Sequence, residues 1–105
     1  LYQIFFYVPK NFLDKVKNAV FDAGAGKYKN YSHCCWQTKG IGQFKSLKGS
    51  NPYKGKKNNI YKISEYRVEL ICQKNNIINI INALKKNHPY EEVAYGIIKL
   101  HKINL

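Results

Sequence analysis

The hydrophobic period of this chain switches twice from two residues to between three and four, and that double switch limits the folds open to it. Tyr2 to Val8 (YQIFFYV) is aromatic and β-branched and reads as a strand, with Pro9 ending it at a position that suits a helix start. From Asn11 onward Phe12, Val16, Ala19, Val20 and Ala23 form one apolar helical stripe, and Gly24 stands where that helix should stop. Ser64 to Gln73 alternates again, with Tyr66, Val68, Leu70 and Cys72 on one face and Glu65, Arg67, Glu69 and Ile71 on the other. A second helix is expected from Asn75 to Asn87 on the stripe Ile77, Ile80, Ile81 and Leu84. Lys85 and Lys86 answer its negative end, and His88-Pro89 stops it. A last strand is expected over Val93 to Leu100, with the tail His101 to Leu105 pairing or fraying.

The middle of the chain is less regular. Tyr28 to Thr38 alternates and is expected to be a strand. Its faces are Tyr28, Asn30, Ser32, Cys34 and Trp36 against Lys29, Tyr31, His33, Cys35 and Gln37. Lys39 to Asn59 is dense in Gly, Lys, Ser and Asn and is expected to be a long loop, with a short strand at Gln43 to Leu47. Loops of that length in a compact domain are usually functional or mobile. The order is β-α-β-β-α-β with an expanded centre, the ferredoxin-like α+β sandwich: an antiparallel sheet with two helices on one face. With 105 residues and 45% hydrophobic content, a single domain over 1–105 has enough apolar material for a core. The sheet face without helices is rich in aromatics and is a candidate surface for self-association, as in a cyclic homotrimer.

The formal charge of +12 raises nucleic acid as a partner. Arg67 is the only arginine, however, and arginine is the residue suited to bidentate phosphate and base contacts. The joint bias toward Lys, Asn, Ile, Tyr and Phe also matches what an AT-rich genome would impose. Nucleic-acid binding through the central lysines (Lys39, Lys45, Lys48, Lys54, Lys56 and Lys57 beside Phe44 and Tyr53) therefore stands as the alternative, not the favoured reading. Cys34, Cys35 and Cys72 do not form a disulfide framework. No secretory signal or span of about 20 apolar residues is evident, which gives the expectation of a reduced, cytoplasmic protein without membrane contact. Leu1 is not an initiator residue, so residues preceding it are expected.

The densest chemistry lies in His88-Pro89-Tyr90-Glu91-Glu92: an imidazole and two carboxylates between helix and strand. His88 could ligate a divalent metal ion with Glu91, or move protons. The same residues also make sense as a turn, with Pro89 fixing the chain and Tyr90 packing. Tyr31-Ser32-His33-Cys34-Cys35 is a second cluster, in which His33 and Cys35 would share a strand face; two ligands do not make a zinc site. Gly24-Ala25-Gly26 and Gly40-Ile41-Gly42 lack the Gly-x-Gly-x-x-Gly of a dinucleotide fingerprint and are expected to serve positive backbone angles. Neither Gly-x-Ser-x-Gly nor His-Glu-x-x-His occurs, and no catalytic residue is expected.

Five blocks in order carry a family resemblance. They are Gly24-Ala25-Gly26, Asn30-Tyr31-Ser32-His33-Cys34, Thr38-Lys39-Gly40-Ile41-Gly42-Gln43-Phe44, Gly49-Ser50-Asn51-Pro52-Tyr53 and His88-Pro89-Tyr90-Glu91-Glu92-Val93-Ala94-Tyr95. Together they resemble the inserted domain of the YqfO-type Nif-three-like proteins and its free-standing relatives. The resemblance implies a ferredoxin-like domain similar to PII signal proteins and the CutA family, often trimeric. The dinuclear metal centre of full-length relatives lies in flanking regions, so neither that site nor a hydrolase activity carries over. Lys29, Cys35-Trp36 and Gly96 depart from the family pattern. The resulting expectation is a non-enzymatic homotrimeric module that binds a small ligand or metal between subunits. Its candidate contacts are Tyr31, His33, His88, Tyr90, Glu91 and Glu92.

Overall fold

The computed structural model describes residues 1–101. The elements are β1 (Tyr2–Pro9), a 3-10 turn (Lys10–Phe12), α1 (Leu13–Asp22), β2 (Trp36–Lys45), β3 (Ile60–Cys72), a second 3-10 turn (Lys74–Asn76), α2 (Ile77–Asn87) and β4 (Tyr95–Lys99). The strands form one antiparallel sheet in the order β2-β3-β1-β4. This is the expected ferredoxin-like arrangement. Of the tail, only His101 is described; the expectation that the chain end pairs or frays lies outside the described residues from 102 onward.

Alternation builds the core. In β1, Ile4, Phe6 and Val8 point to the helices and are buried, facing Leu70, Val68 and Tyr66 of β3 in register. Val68, Leu70 and Cys72 continue that layer, and Val16, Val20 and Phe21 of α1 and Ile80, Ile81 and Leu84 of α2 close it. Burying each large side chain contributes roughly 1.5–3 kcal/mol, which outweighs the modest helix propensity of two helices only 10 and 11 residues long. No helix among the described residues is long and apolar enough to cross a membrane.

The other sheet face carries no helix. Phe5, Tyr7, Trp36 and Ile98 lie there, around the lone arginine. Arg67 stacks on Phe5 at 4.2 Å from the ring centre and donates to the Tyr7 hydroxyl at 2.6 Å, with Glu69 3.8 Å away. These contacts hold it within this face. Gly96 lies directly beneath the Phe5 ring, which a side chain there would displace.

Two expectations fail in the centre. Tyr28 to Cys35 is not strand. Tyr28 and Tyr31 exchange backbone bonds of 2.9 Å around a tight turn, and Lys29 and His33 take left-handed angles, φ 51° and 58°. Asn30, Ser32 and His33 favour such turns over a sheet ladder. His33 and Cys35 therefore do not share a strand face. Conversely, Lys39 to Lys45 is strand, so Gly40-Ile41-Gly42 lies inside β2 and not in a loop. Pairing decides the boundary: β3 continues to Ile60 and offers a partner for every residue of β2 from Trp36 to Lys45. Residues Ile60 to Ser64 run past the end of β1 and project β2 and β3 as an arm, giving a molecule 51 Å long and 23–25 Å across.

Candidate functional site

The C-terminal end of β1 meets the C-terminal end of α2, and the segment between β2 and β3 folds back over both. A residue before proline is pushed out of the helical region. His88 accordingly sits at φ −85°, ψ 141°, its amide still bonded to the Leu84 carbonyl at 3.0 Å. The turn sends its ring back to the sheet. β4 stops pairing opposite Phe6, and the next carbonyl of β1, that of Tyr7, receives the His88 Nε2–H at 2.6 Å. A buried carbonyl without a partner costs about 1–3 kcal/mol, so this bond substitutes for the missing strand. The other ring nitrogen, Nδ1, accepts the Tyr90 amide at 3.1 Å. The imidazole is thus a neutral, doubly bonded brace only 8% exposed. Burial pushes its pKa below the ordinary 6.5, against the opposing pull of the Tyr7 carbonyl.

Tyr90 stands against His88 with ring centres 4.6 Å apart and faces Tyr53 at 6.0 Å. Its hydroxyl donates to Glu65 at 2.8 Å. Burial, followed by the hydrogen bond and charge of Glu65, raises the phenol well above its usual range. Glu65 reaches this position because it crosses Gly42 on the neighbouring strand, where any Cβ would collide with the carboxylate. The glycine inside β2 serves this close approach.

The segment from Ser46 to Asn59 closes the site. Ser46 is buried, and its carbonyl takes the Asn58 amide at 2.6 Å, pinning the base of the loop. The Asn51 amide donates to Glu91 at 2.9 Å, and Tyr53 lies edge-on to Phe12 at 5.8 Å. Between loop, arm and turn lies a cavity of about 430 Å³, walled by Tyr7, Tyr53 and Tyr90 and edged by Glu65, Glu91 and Glu92. That volume is in the range of small-molecule sites.

Three of the six candidate residues, Tyr90, Glu91 and Glu92, therefore line one cavity. His88 stands behind its wall. With both ring nitrogens committed it has no lone pair for a divalent metal ion, and Glu91 bonds to Asn51 instead. No group of three His, Cys, Asp or Glu that could hold a metal ion occurs among the described residues. Tyr31 and His33 lie at the other end of β1, in the loop that Gly26 ties to Ile71, which is paired with Gln3. Tyr31 is 73% exposed, and the His33 ring rests 4.9 Å from Phe21, with Nδ1 2.9 Å from the Ser32 hydroxyl. Tyr7, Glu65, Gly42 and Ser46 were not among the candidates. The alternation had placed Glu65 on the outer face of β3, but only the strand register brings it to Tyr90.

Comparison with known proteins bears on this geometry. No family model matches the chain. The chain is 44% identical over 91 residues to a Bacillus subtilis protein called GTP cyclohydrolase 1 type 2 homolog, which takes in 87% of this chain and 24% of that one. It superposes on a Bacillus cereus protein related to NIF3 with a TM-score of 0.83 and 33% identity, over 96% of this chain and 26% of the other. It superposes on CutA1 from Pyrococcus horikoshii with a TM-score of 0.70 at 14% identity, over 99% of this chain and 87% of that one. The last is a likeness of fold. The chain spans about a quarter of the length of the curated relatives it matches.

Proposed function

We propose that this PII/CutA-like domain, related to a segment of the NIF3-related proteins, is a non-enzymatic ligand-binding module that works as a homotrimer. The observation that carries this reading is the 430 Å³ cavity closed by the Ser46–Asn59 loop over the His88–Glu92 turn. It combines an apolar wall with a few oriented polar groups, the usual build of a small-molecule site. Against catalysis, the one imidazole nearby is locked in two hydrogen bonds and braces the wall. The cyclohydrolase name belongs to the longer relatives, of which this chain matches a quarter. Self-association is supported by the helix-free sheet face, where Trp36 is 69% and Ile98 46% exposed.

The test has two arms. A fragment library containing neutral, cationic and anionic members, followed by amide NMR, is expected to move the Asn51, Tyr53 and Tyr90 resonances together. Silence there across the library removes the ligand reading. Light scattering is expected to give the mass of three chains, and the mass of one chain removes the trimer.

A second reading has its own support: Lys39, Lys45, Lys48, Lys54, Lys56, Lys57 and Lys62 are all exposed on the arm and its loop. An anionic partner such as nucleic acid would be held there with a steep loss of affinity on adding salt. No binding at low salt ends that reading.

A further inference from the structure

We propose that the cavity is selective for a small organic cation, an alkylammonium or guanidinium compound; the inference rests on the ligand-binding reading above and names its ligand class. The chain has 18 basic and six acidic side chains, yet three of the six carboxylates, Glu65, Glu91 and Glu92, border this one cavity, against a single basic residue, Lys54. The local balance therefore opposes the balance of the whole molecule. An anion such as phosphate would be attracted to the surface at large but would meet three carboxylates at the cavity. At about 8 Å of screening length in physiological salt, the groups that touch the ligand decide, not the distant lysines.

The walls match that charge. Tyr7, Phe44, Tyr53 and Tyr90 line the space, and the negative faces of aromatic rings attract ammonium and guanidinium groups, as the Tyr7 ring holds Arg67 at 5.6 Å from its centre. The chain already contains an example: the Lys54 ammonium lies over the Tyr53 ring at 5.8 Å from its centre. Two of the carboxylates are also held in place. Glu65 is fixed by the Tyr90 hydroxyl and Glu91 by the Asn51 amide, and each keeps further lone pairs to accept from a ligand. They are not gathered closely enough to hold a metal ion. A ligand that reaches more than one of them must have size as well as charge, which points to an organic cation rather than a bare divalent one.

The experiment is an amide NMR titration of the whole chain at constant ionic strength. Tetramethylammonium and 1,4-diaminobutane are the cationic probes, inorganic phosphate and ATP the anionic ones, and neutral fragments the reference. Saturable shifts at Asn51, Tyr53 and Tyr90 are expected with the cations and not with phosphate. Glu92→Gln, at an exposed position on the rim, is expected to weaken cation binding about three- to tenfold without unfolding the chain. Lys54→Gln is expected to tighten it, since it removes a like charge; a ligand bearing phosphate would be weakened by the same change. If neutral or anionic probes move the cavity amides and cations do not, the cation inference falls and the ligand-binding reading stands. If no probe class moves them, both fall. Unchanged cation affinity in Glu92→Gln, or weaker affinity in Lys54→Gln, also overturns the inference.

Discussion

The two halves of the molecule have the same plan: a strand, a 3-10 turn, a helix, and a connection that ties back to a strand of the other half. They make that tie differently. After α1, the Gly26 amide donates to the Ile71 carbonyl of β3 at 2.8 Å, and the Cys34 amide donates in turn to Gly26 at 2.9 Å. After α2, the His88 imidazole donates to the Tyr7 carbonyl of β1 and takes the Tyr90 amide on its other side. One half closes backbone to backbone, which requires a residue without a side chain. The other closes through a ring that fills space, carries a proton and holds an aromatic neighbour against a cavity. The same structural need, a partner for the strand carbonyl, is met once by an inert group and once by a titratable one. The second end is the one beside the cavity.

The largest effect expected from this contrast is at His88. His88→Ala leaves the Tyr7 carbonyl without its donor and opens a void beside Tyr90, and urea unfolding is expected to show a loss of about 3–4 kcal/mol. His33→Ala, at the exposed imidazole of the first half, is expected to stay within about 0.5 kcal/mol. Equal losses at the two positions would break the distinction between them.

Gly26→Ala is the matching test of the first half. Gly26 has φ +80°, and an added Cβ would lie 2.8 Å from the Cys34 carbonyl oxygen and 3.0 Å from its amide nitrogen, both backbone atoms that cannot swing aside. A loss of about 2–3 kcal/mol is expected, and it should not vary with pH, because no proton is involved.

The pH dependence separates the halves directly. The His88 pKa lies below 6.5 in the folded chain, for burial penalises its charged form. Above about pH 6.5 both folded and unfolded states hold it neutral, and its contribution is present in full. As pH falls below that value the unfolded chain takes up the proton first. Stability is then lost by up to about 1.4 kcal/mol per pH unit, until the folded ring is protonated as well. The difference between wild type and His88→Gln in urea unfolding, followed from pH 7.5 to 5, is expected to shrink toward low pH. A difference that grows toward low pH would reverse the sign and remove the account of the neutral brace.

The contrast also marks how far the sequence could be read. Both strand-to-helix switches, the buried faces of β1 and β3 and the α2 stripe follow from periodicity, because each segment buries one face against one layer. Tyr28 to Cys35 failed because alternating aromatics mean strand only where a partner strand is free: β3 runs only to Cys72, three residues past the partner of Trp36, and the Ile71 carbonyl there is taken by Gly26. Gly40 and Gly42 failed in the opposite direction: glycines weaken a strand locally, yet β3 pairs with both. Of the cavity lining, Tyr90, Glu91 and Glu92 were legible because they are contiguous. Tyr7 and Glu65 were not, since their meeting with Tyr90 depends on register and on the missing Cβ at Gly42. The brace role of His88 needed one more fact, the point at which β4 stops.

A smaller effect than those at His88 and Gly26 is the most informative about the cavity itself. Tyr90→Phe keeps the ring that faces His88 and Tyr53 and removes only the hydroxyl that donates to Glu65. Glu65 is partly exposed, so water replaces much of what is lost, and a change of about 1 kcal/mol is expected by urea unfolding. A loss above about 2 kcal/mol would mean that the Glu65 carboxylate is cut off from water and held by Tyr90 alone. No loss would mean that solvent serves it equally well. Gly42→Ala tells the two halves of that contact apart, because it pushes the carboxylate off the strand and leaves the hydroxyl in place. If the two changes act through the same hydrogen bond, the double variant loses less than the two single losses added together. Strict additivity would place Glu65 and Tyr90 in the cavity as independent groups, each free to turn toward a ligand.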